Sequence, residues 1–422
     1  MRRIVSLLVL VAVLVLASLV SAQEPVEIRF FYPVQVAGPL ARVIDGMVEE
    51  FNAEHHGIRV QAVYSGNYDE TMQRAQTAAM SGNPPELAVL LAIDLLTLLN
   101  ADIISPVEDF LADEPAYRND FVEGFIENSQ YGGKIWSIPF QRSTPLLYYN
   151  KEMFAEAGLD PEKPPTTWAE LLEYAEKLTV RDASGNVIRH GLTIVTKDTW
   201  MLQAFILQNG GGYNNEAGTE IYLDQPATIG ALQFWVDLAN KHKVMPRHRD
   251  YGEASADFAA EQTAMMYNST GSLSFVRSSV NFDFGVAPLP GNQVHAVPTG
   301  GGNFYIFKGL TPEKEQAAWT FVKWMTSPEK VAEWSIASGY VPVRLSAFDE
   351  PVLKEYYAEF PQASVAGEQL PFARREMALH SNQQIRELVL TAIQEALEQT
   401  LSVEDALRQA QRQADRILRP FQ

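Results

Sequence analysis

The chain has 422 residues, of which 52 are acidic and 33 are Lys or Arg, so its formal charge is −19 at pH 7, and it contains no cysteine. Such an acidic chain without a basic stripe argues against binding to nucleic acid or to anionic lipid. The lack of cysteine excludes a disulfide framework and a lipoprotein attachment site.

The first 22 residues have the pattern of a secretory signal peptide. Arg2 and Arg3 give it a charged start, an apolar run follows, and the small residues at 20–22 suit cleavage. The apolar run is shorter than the roughly 20 residues that a membrane span needs. We therefore expect cleavage near Ala22 and a mature protein in the periplasm without a lipid anchor.

The N-terminal part of the mature chain predicts an α/β module. Residues 26–31 and 58–64 alternate as strands, with a helical pattern at 40–52 between them. A second helix is predicted at 68–80, before the apolar strand 87–91. Two strands joined by one helix form a parallel pair, and a wholly apolar strand is covered on both faces.

The stretch 136–151 predicts a crossing between two globular halves. Pro139 and Pro145 stiffen the backbone on either side of the polar residues 141–144. An apolar strand at 146–149 follows, and Asn150 can cap the next helix. An ordinary junction between a loop and a strand is the alternative interpretation.

The rest of the chain is again α/β and ends in helices. Thr167 and Glu170 predict a capping box for a helix at 168–178. Glycines 300–302 precede a predicted strand at 303–307 and suggest a second crossing. The other predicted elements are a helix at 229–242, a strand at 282–287, and helices at 311–325, 328–336, 385–397 and 402–418.

The patterns of hydrolytic chemistry are missing from the sequence. The seven His are scattered without metal-ligand spacing, and there is no Gly-x-Ser-x-Gly elbow. The pair Tyr148 and Tyr149 could suggest a ferric site, but strand alternation favours one ring in the core and one in a cleft. We predict no catalytic residue, no metal and no cofactor, and a secreted phosphodiester hydrolase is the less favoured alternative.

Several short motifs point together to one family. They are residues 51–54 (FNAE), 66–68 (GNY), 143–145 (STP), 147–151 (LYYNK), 157–168 (AGLDPEKPPTTW), 271–273 (GSL), 339–342 (GYVP) and 384–386 (QIR). Over nearly the whole mature chain they resemble extracytoplasmic solute-binding proteins of ATP-driven importers, in the maltose-binding-like class. Within that class, the likeness is strongest to members that bind glycerol 3-phosphate and glycerophosphodiesters.

The resemblance implies a two-lobed α/β fold with a ligand cleft between the lobes and a hinge of two or more crossings. Chain order then assigns residues 23–142 and 299–345 to lobe one, and 143–298 and 346–422 to lobe two. The implied mechanism is capture of a small molecule by hinge closure, followed by docking on membrane permease subunits. We expect a monomer and no enzymatic activity.

The resemblance also implies a set of ligand-binding residues. An arginine supplies a forked, permanently charged donor for phosphate, hydroxyl groups supply neutral donors, and a glycine lets the backbone approach closely. The implied residues are Tyr68, Ser143, Ser269, Gly302, Tyr340 and Arg386.

Two departures from the family pattern concern the end of the ligand away from the phosphate. The family's acidic residue for the glycerol hydroxyls falls at Ala92, and Asp94 is the candidate to replace it. In the family, two tryptophans line this end, and this chain has a counterpart for one of them, Trp200. A carrier of sugars or oligosaccharides, with Tyr68, Trp200 and Tyr340 as stacking platforms, is the alternative within the class.

Overall fold

The computed structural model describes residues 24–112, 114–376 and 378–422. The predicted signal peptide lies outside the described residues. The described chain is built on two five-stranded sheets with helices packed around them. The strands are β1 Val26–Tyr32, β2 Ile58–Tyr64, β3 Leu87–Leu91, β4 Gln130–Tyr131, β5 Lys134–Ile135, β6 Ile138–Ser143, β7 Pro145–Asn150, β8 Val180–Arg181, β9 Val187–Ile194, β10 Thr263–Ser269, β11 Phe284–Ala287, β12 Val297–Pro298, β13 Gly300–Ile306 and β14 Ala373–Arg374.

The first sheet has the order β2-β1-β3-β13-β6. Strands β2, β1 and β3 run parallel, as the strand-helix-strand pattern predicted, while β13 is antiparallel to both β3 and β6. Four of the five residues of β3 are buried. Its continuous apolar sequence therefore reflects coverage on both faces, as predicted.

The second sheet has the order β11-β7-β10-β9-β8. Strand β7 is antiparallel to β10 and β11, and β10 is parallel to β9. Tyr148 and Tyr149 in β7 are both buried. The prediction that one of these rings faces a cleft is wrong, because Tyr149 packs on Phe154 and over Gly285, while the buried Tyr148 hydroxyl donates to the carbonyl oxygen of Ser269.

The chain passes between the sheets where the sequence predicted a crossing. Strand β6 belongs to the first sheet, β7 belongs to the second, and Thr144 alone separates them. A second crossing joins β11 to β13. Except for Ser143, every residue of the first sheet lies within the range predicted for lobe one, and every residue of the second sheet lies within the range predicted for lobe two. The lobe boundaries themselves remain a prediction.

The glycines at 300–302 are part of strand β13, so the predicted strand start at 303 is wrong. Gly301 pairs with Arg142, and its φ is +94°. A Cβ atom at this position would lie 1.8 Å from the carbonyl oxygen of Gln141. The glycine sequence therefore reflects a close approach of two strands, rather than only a flexible connection.

Most predicted helices are present, with shifted ends. The helix predicted at 229–242 begins earlier, because Pro226 suits the first helical position, and it ends in a π turn at 237–241. The Thr167 side chain caps the helix Trp168–Leu178, as predicted. Glu170 accepts from the N–H of Thr166, so the second bond of the predicted capping box is replaced by one to the preceding residue. The α-helices are Leu40–Glu54, Tyr68–Met80, Leu95–Asn100, Glu108–Leu111, Pro115–Asn119, Glu123–Ile126, Lys151–Glu156, Trp168–Leu178, Thr199–Gln208, Pro226–Val236, Tyr251–Ala259, Leu273–Ser279, Pro312–Met325, Pro328–Ser338, Pro351–Glu359, Val365–Glu368, Asn382–Leu397 and Val403–Leu418.

No helix in the described part of the chain is long and apolar enough to cross a membrane.

Candidate functional site

A cavity of about 50 Å³ lies between the two sheets, close to both crossings. Residues near the first sheet form one wall, and residues near the second sheet together with the C-terminal helices form the other. Of the eight residues predicted from the sequence, six line this cavity: Tyr68, Ser143, Trp200, Ser269, Tyr340 and Arg386. The chain therefore brings together groups that lie up to about 300 residues apart in the sequence.

Tyr68 is the first residue of a helix whose start is fixed by a capping box between Asn67 and Glu70. Its hydroxyl donates to the side-chain oxygen of Gln141 at 2.8 Å. Burial is the main cause that raises the pKa of Tyr68 well above its usual value. The phenol is therefore a neutral hydrogen-bonding group at physiological pH.

Tyr340 follows Gly339, which ends the preceding helix with a φ of +92°. The Tyr340 ring stacks on Trp334 with 5.7 Å between the ring centroids. A Cβ atom on Gly271 would lie 2.8 Å from the Tyr340 ring. Gly271 thus makes room for this ring, and Gly339 provides the left-handed turn before it and approaches Thr270 and Leu273 closely. These requirements explain the Gly-Ser-Leu and Gly-Tyr-x-Pro motifs in physical terms.

The two predicted serines come from the ends of strands in different sheets. Ser143 ends β6 at the first crossing, and Ser269 ends β10. The hydroxyl oxygen of Ser269 accepts from the N–H of Gly271 at 3.1 Å. Because accepting leaves the hydroxyl proton unused, Ser269 can still donate to a ligand.

Gly301, not Gly302, lies at the cavity wall. Gly302 lies behind Tyr68, since a Cβ atom on Gly302 would be 2.8 Å from the Tyr68 ring. The structure thus places Gly302 where it allows Tyr68 to pack closely.

Arg386 projects from the helix Asn382–Leu397, which is anchored by buried residues such as Ile385 and Val389. Its Nη1 donates to Oδ1 of Asp69 at 2.7 Å, and Nη2 lies 4.0 Å from Oδ2 of Asp198. Burial by itself would lower the pKa of Arg386, but the nearby carboxylates outweigh it and raise that pKa. The guanidinium is therefore permanently charged and already faces two acids.

Asp94 does not line the cavity. Its Oδ1 accepts from Nδ2 of Asn382 at 3.0 Å, which ties the 3₁₀ turn Ala92–Asp94 to the start of the helix that carries Arg386. Burial raises the pKa of Asp94 to about 6. The structure thus gives Asp94 a role in positioning this helix, rather than the direct hydroxyl contact that the sequence suggested.

Trp200 lies against the second crossing. Its indole N–H donates to the carbonyl oxygen of Thr299 at 3.1 Å, and its ring covers the backbone of Gly300. Asp198 caps the start of the same helix by accepting from the N–H of Trp200 at 2.8 Å. Asp198 also lines the cavity. An acid just before a helix is a recognisable capping signal, but that signal does not reveal that Asp198 also faces the cavity.

Sequence reasoning also missed Glu376, which is 5% exposed and lines the cavity. Its Oε1 accepts from the side-chain amide of Gln203 at 3.2 Å. Burial, followed by the charge of Asp198, raises the pKa of Glu376 to about 8. The local sequence, Arg374-Arg375-Glu376, has the composition of an exposed turn and gives no sign of burial.

Arg142, at the centre of the predicted crossing, is fully buried rather than exposed to the cleft. It donates to Oδ1 of Asn303 at 3.1 Å and to Oδ1 of Asn128 at 3.0 Å. Burial lowers its pKa to about 10, so it stays charged at neutral pH. Arg142 therefore fastens the crossing to the first sheet.

Within residues 24–112, 114–376 and 378–422, no group of three or more His, Cys, Asp or Glu is arranged to hold a metal ion.

A family model for bacterial extracellular solute-binding proteins matches residues 46–362, which is most of the chain. The chain belongs to this family. Like other members of the solute-binding family, it has a two-lobed α/β fold with a cleft between the lobes, as the sequence predicted. The cavity described above lies in that cleft.

Two relatives connect this solute-binding protein to phosphorylated glycerol compounds. It is 28% identical to the sn-glycerol-3-phosphate-binding periplasmic protein UgpB of Escherichia coli K12, with 96% of each chain covered. The crystal structure of UgpB from Mycobacterium tuberculosis in complex with glycerophosphocholine matches with a TM-score of 0.84 and 25% identity, over 94% of this chain and 99% of that one.

The fold is shared with sugar carriers as well. MalE from Bdellovibrio bacteriovorus bound to maltotriose matches with a TM-score of 0.82 and 23% identity, over 93% of this chain and all of that one. At that identity the likeness establishes the fold only.

Proposed function

We propose that this solute-binding protein captures glycerol 3-phosphate or a glycerophosphodiester, such as glycerophosphocholine, by closing its two lobes. Lobe one would comprise residues 23–142 and 299–345, and lobe two would comprise 143–298 and 346–422. The loaded protein would then dock, as a monomer in the periplasm, on the permease subunits of an ATP-driven importer. It would release its ligand unchanged, without a catalytic step.

The observation that carries the proposal is the placement of Arg386 in the cleft. The guanidinium is rigidly held by its helix, and its side chain is only 12% exposed. A buried guanidinium with hydroxyl donors nearby is the usual recognition chemistry for a phosphate group. The hydroxyl donors that share the cavity are Tyr68, Ser143, Ser269 and Tyr340.

The proposal is tested by isothermal titration calorimetry of the mature protein with glycerol 3-phosphate and glycerophosphocholine. In Arg386→Ala, we expect affinity for both compounds to fall by about tenfold to a hundredfold, because charge-assisted hydrogen bonds are lost. Arg412→Ala is the matched control, since Arg412 is exposed on the last helix. Unchanged affinity in Arg386→Ala would contradict the proposal.

A sugar carrier is the second candidate function, because acids already surround Arg386. A guanidinium that is paired with Asp69 and close to Asp198 can orient acidic groups that accept bonds from sugar hydroxyls. The rings of Tyr68, Trp200 and Tyr340 line the same cavity and could stack on sugar rings. Maltose and trehalose in the same titrations distinguish the two functions, since a sugar carrier binds these and neither phosphate compound.

A further inference from the structure

Glu376 is a buried acid that the proposed phosphate recognition does not use. Its side chain lines the cavity, and its own backbone is held on both sides. The backbone N–H donates to the hydroxyl of Thr299 at 3.2 Å, and the backbone carbonyl accepts from the side-chain amide of Asn128. The carboxyl group is therefore fixed in position rather than free to turn towards solvent.

No cation in the described part of the chain pairs with this carboxyl group. Gln203, a neutral amide, is its hydrogen-bond donor there. Arg142 and Arg386 both attract Glu376 electrostatically, but neither donates a bond to it. The bonds of Arg142 go to Asn303, Asn128, Thr299 and the carbonyl of Gly301, and that of Arg386 goes to Asp69. A buried acid without a cationic partner is costly, so a ligand that supplies the partner gains binding energy.

The surroundings of Glu376 favour a positively charged partner over a neutral hydroxyl. Among the charged groups that act on Glu376, the carboxylate of Asp198 has the largest effect, ahead of Arg142 and Arg386. Trp200 and Tyr251 line the same space, and the faces of aromatic rings attract cations. The end of the cavity near Glu376 thus combines acids with aromatic rings, as sites for ammonium groups do.

We propose that Glu376 recognises a positively charged group on the ligand whose phosphodiester is held at Arg386, so that the cleft selects zwitterionic phosphodiesters. This inference rests on the proposed function of the same cleft. It makes Glu376 a specificity-determining residue that the motifs of the family did not indicate.

Binding of a cation next to Glu376 should release a proton. The pKa of Glu376 is raised to about 8 in the absence of a cation, so the carboxyl group is mostly protonated at pH 7. A bound cation stabilises the carboxylate and lowers this pKa, so binding releases a proton and tightens as the pH rises towards about 8. The other ionisable groups that act on or lie beside Glu376 are Asp198, Arg142, Arg386, Tyr213, Tyr251 and Arg375.

The test compares two phosphodiesters that differ in the charge of the head group. Glycerophosphocholine carries a cationic head, and glycerophosphoglycerol carries a neutral one. We expect the unaltered protein to bind the choline compound about tenfold more tightly. In Glu376→Gln that preference should be lost, while Glu216→Gln, at an exposed acid that pairs with Arg375, should retain it.

The pH dependence gives a second readout. Between about pH 7 and pH 8.5, affinity for glycerophosphocholine should rise in the unaltered protein and stay level in Glu376→Gln. Proton release is read from calorimetry in two buffers with different ionisation enthalpies. The range lies above the pKa of Asp94, near 6, so that group does not contribute. Thermal unfolding of Glu376→Gln confirms that the variant is folded.

Equal affinity of the unaltered protein for the two diesters would overturn the inference and leave the proposed function in place. A preference for the glycerol head group that disappears in Glu376→Gln would also overturn it, in favour of hydroxyl recognition. Failure of the unaltered protein to bind any of the phosphate compounds would overturn the proposed function itself.

Discussion

The ion pair between Asp69 and Arg386 predicts that Asp69 competes with an anionic ligand. Asp69 lies in the helix Tyr68–Met80 beside the first sheet, and Arg386 lies in the helix Asn382–Leu397. Their atoms Oδ1 and Nη1 are 2.7 Å apart, so Asp69 occupies a donor that a phosphate oxygen would need. A ligand that binds Arg386 must displace or share this carboxylate.

The expected size of the effect follows from the exposure of the pair. The Asp69 side chain is 50% exposed and the Arg386 side chain 12%. Partly exposed ion pairs contribute about 0.2–1 kcal/mol. Since about 1.4 kcal/mol corresponds to a factor of ten, removal of the negative charge in Asp69→Asn should raise affinity for glycerol 3-phosphate by about 1.4- to fivefold.

Calorimetric titration with glycerol 3-phosphate at low and high salt measures this effect. The gain in Asp69→Asn should shrink at high salt, because screening weakens the interaction of exposed charges. Asp349→Asn is the control, since its side chain is 81% exposed and pairs with Lys354. Weaker binding of glycerol 3-phosphate by Asp69→Asn would refute the reasoning, because Asp69 would then orient Arg386 for the ligand.

Two further predictions concern folding stability. Burial raises the pKa of Asp94 from 3.8 to about 6, so the folded protein loses stability as the pH rises from about 4 through about 6. At about 1.4 kcal/mol per pKa unit, Asp94→Asn should be about 3 kcal/mol more stable than the unaltered protein at pH 8, with little gain at pH 4. Urea unfolding at the two pH values measures this difference, and a gain independent of pH would contradict it. Gly301→Ala should lower the free energy of unfolding by about 2 kcal/mol or more, because its Cβ atom would clash with Gln141. Thermal melts against Gly124→Ala, where the added atom meets nothing within 4 Å, provide the comparison; equal melting temperatures would disprove the strain at residue 301.

Local patterns predicted the elements of the first sheet well. The strands at 58–64 and 87–91 and the helix at 68–80 have the bounds that the sequence suggested. Each carries its own local signal: alternation, a continuous apolar run, or a capping box at Asn67. The helix at 229–242 was misplaced because its start depends on Pro226, three residues before the apolar periodicity begins.

The residues of the cleft were predicted from family motifs and not from local periodicity. Ser143, Tyr340 and Arg386 were predicted from family motifs, and the structure places them around one cavity. Spacing along the chain could not reveal this, since an arginine on an amphipathic helix has the same pattern whether it faces a cleft or solvent. Their roles in ligand binding remain predictions.

The sequence by itself determined the elements of the N-terminal α/β module, the crossing at Ser143–Pro145 and the family, because these depend on neighbouring residues and on motifs. The tertiary structure decided which partner each charged side chain meets: Asp69 meets Arg386, Asp94 meets Asn382, and Glu376 meets Gln203. These partners lie between 173 and 317 residues apart. No local pattern encodes such pairs, because burial and the distance between two charges arise only when distant segments pack together.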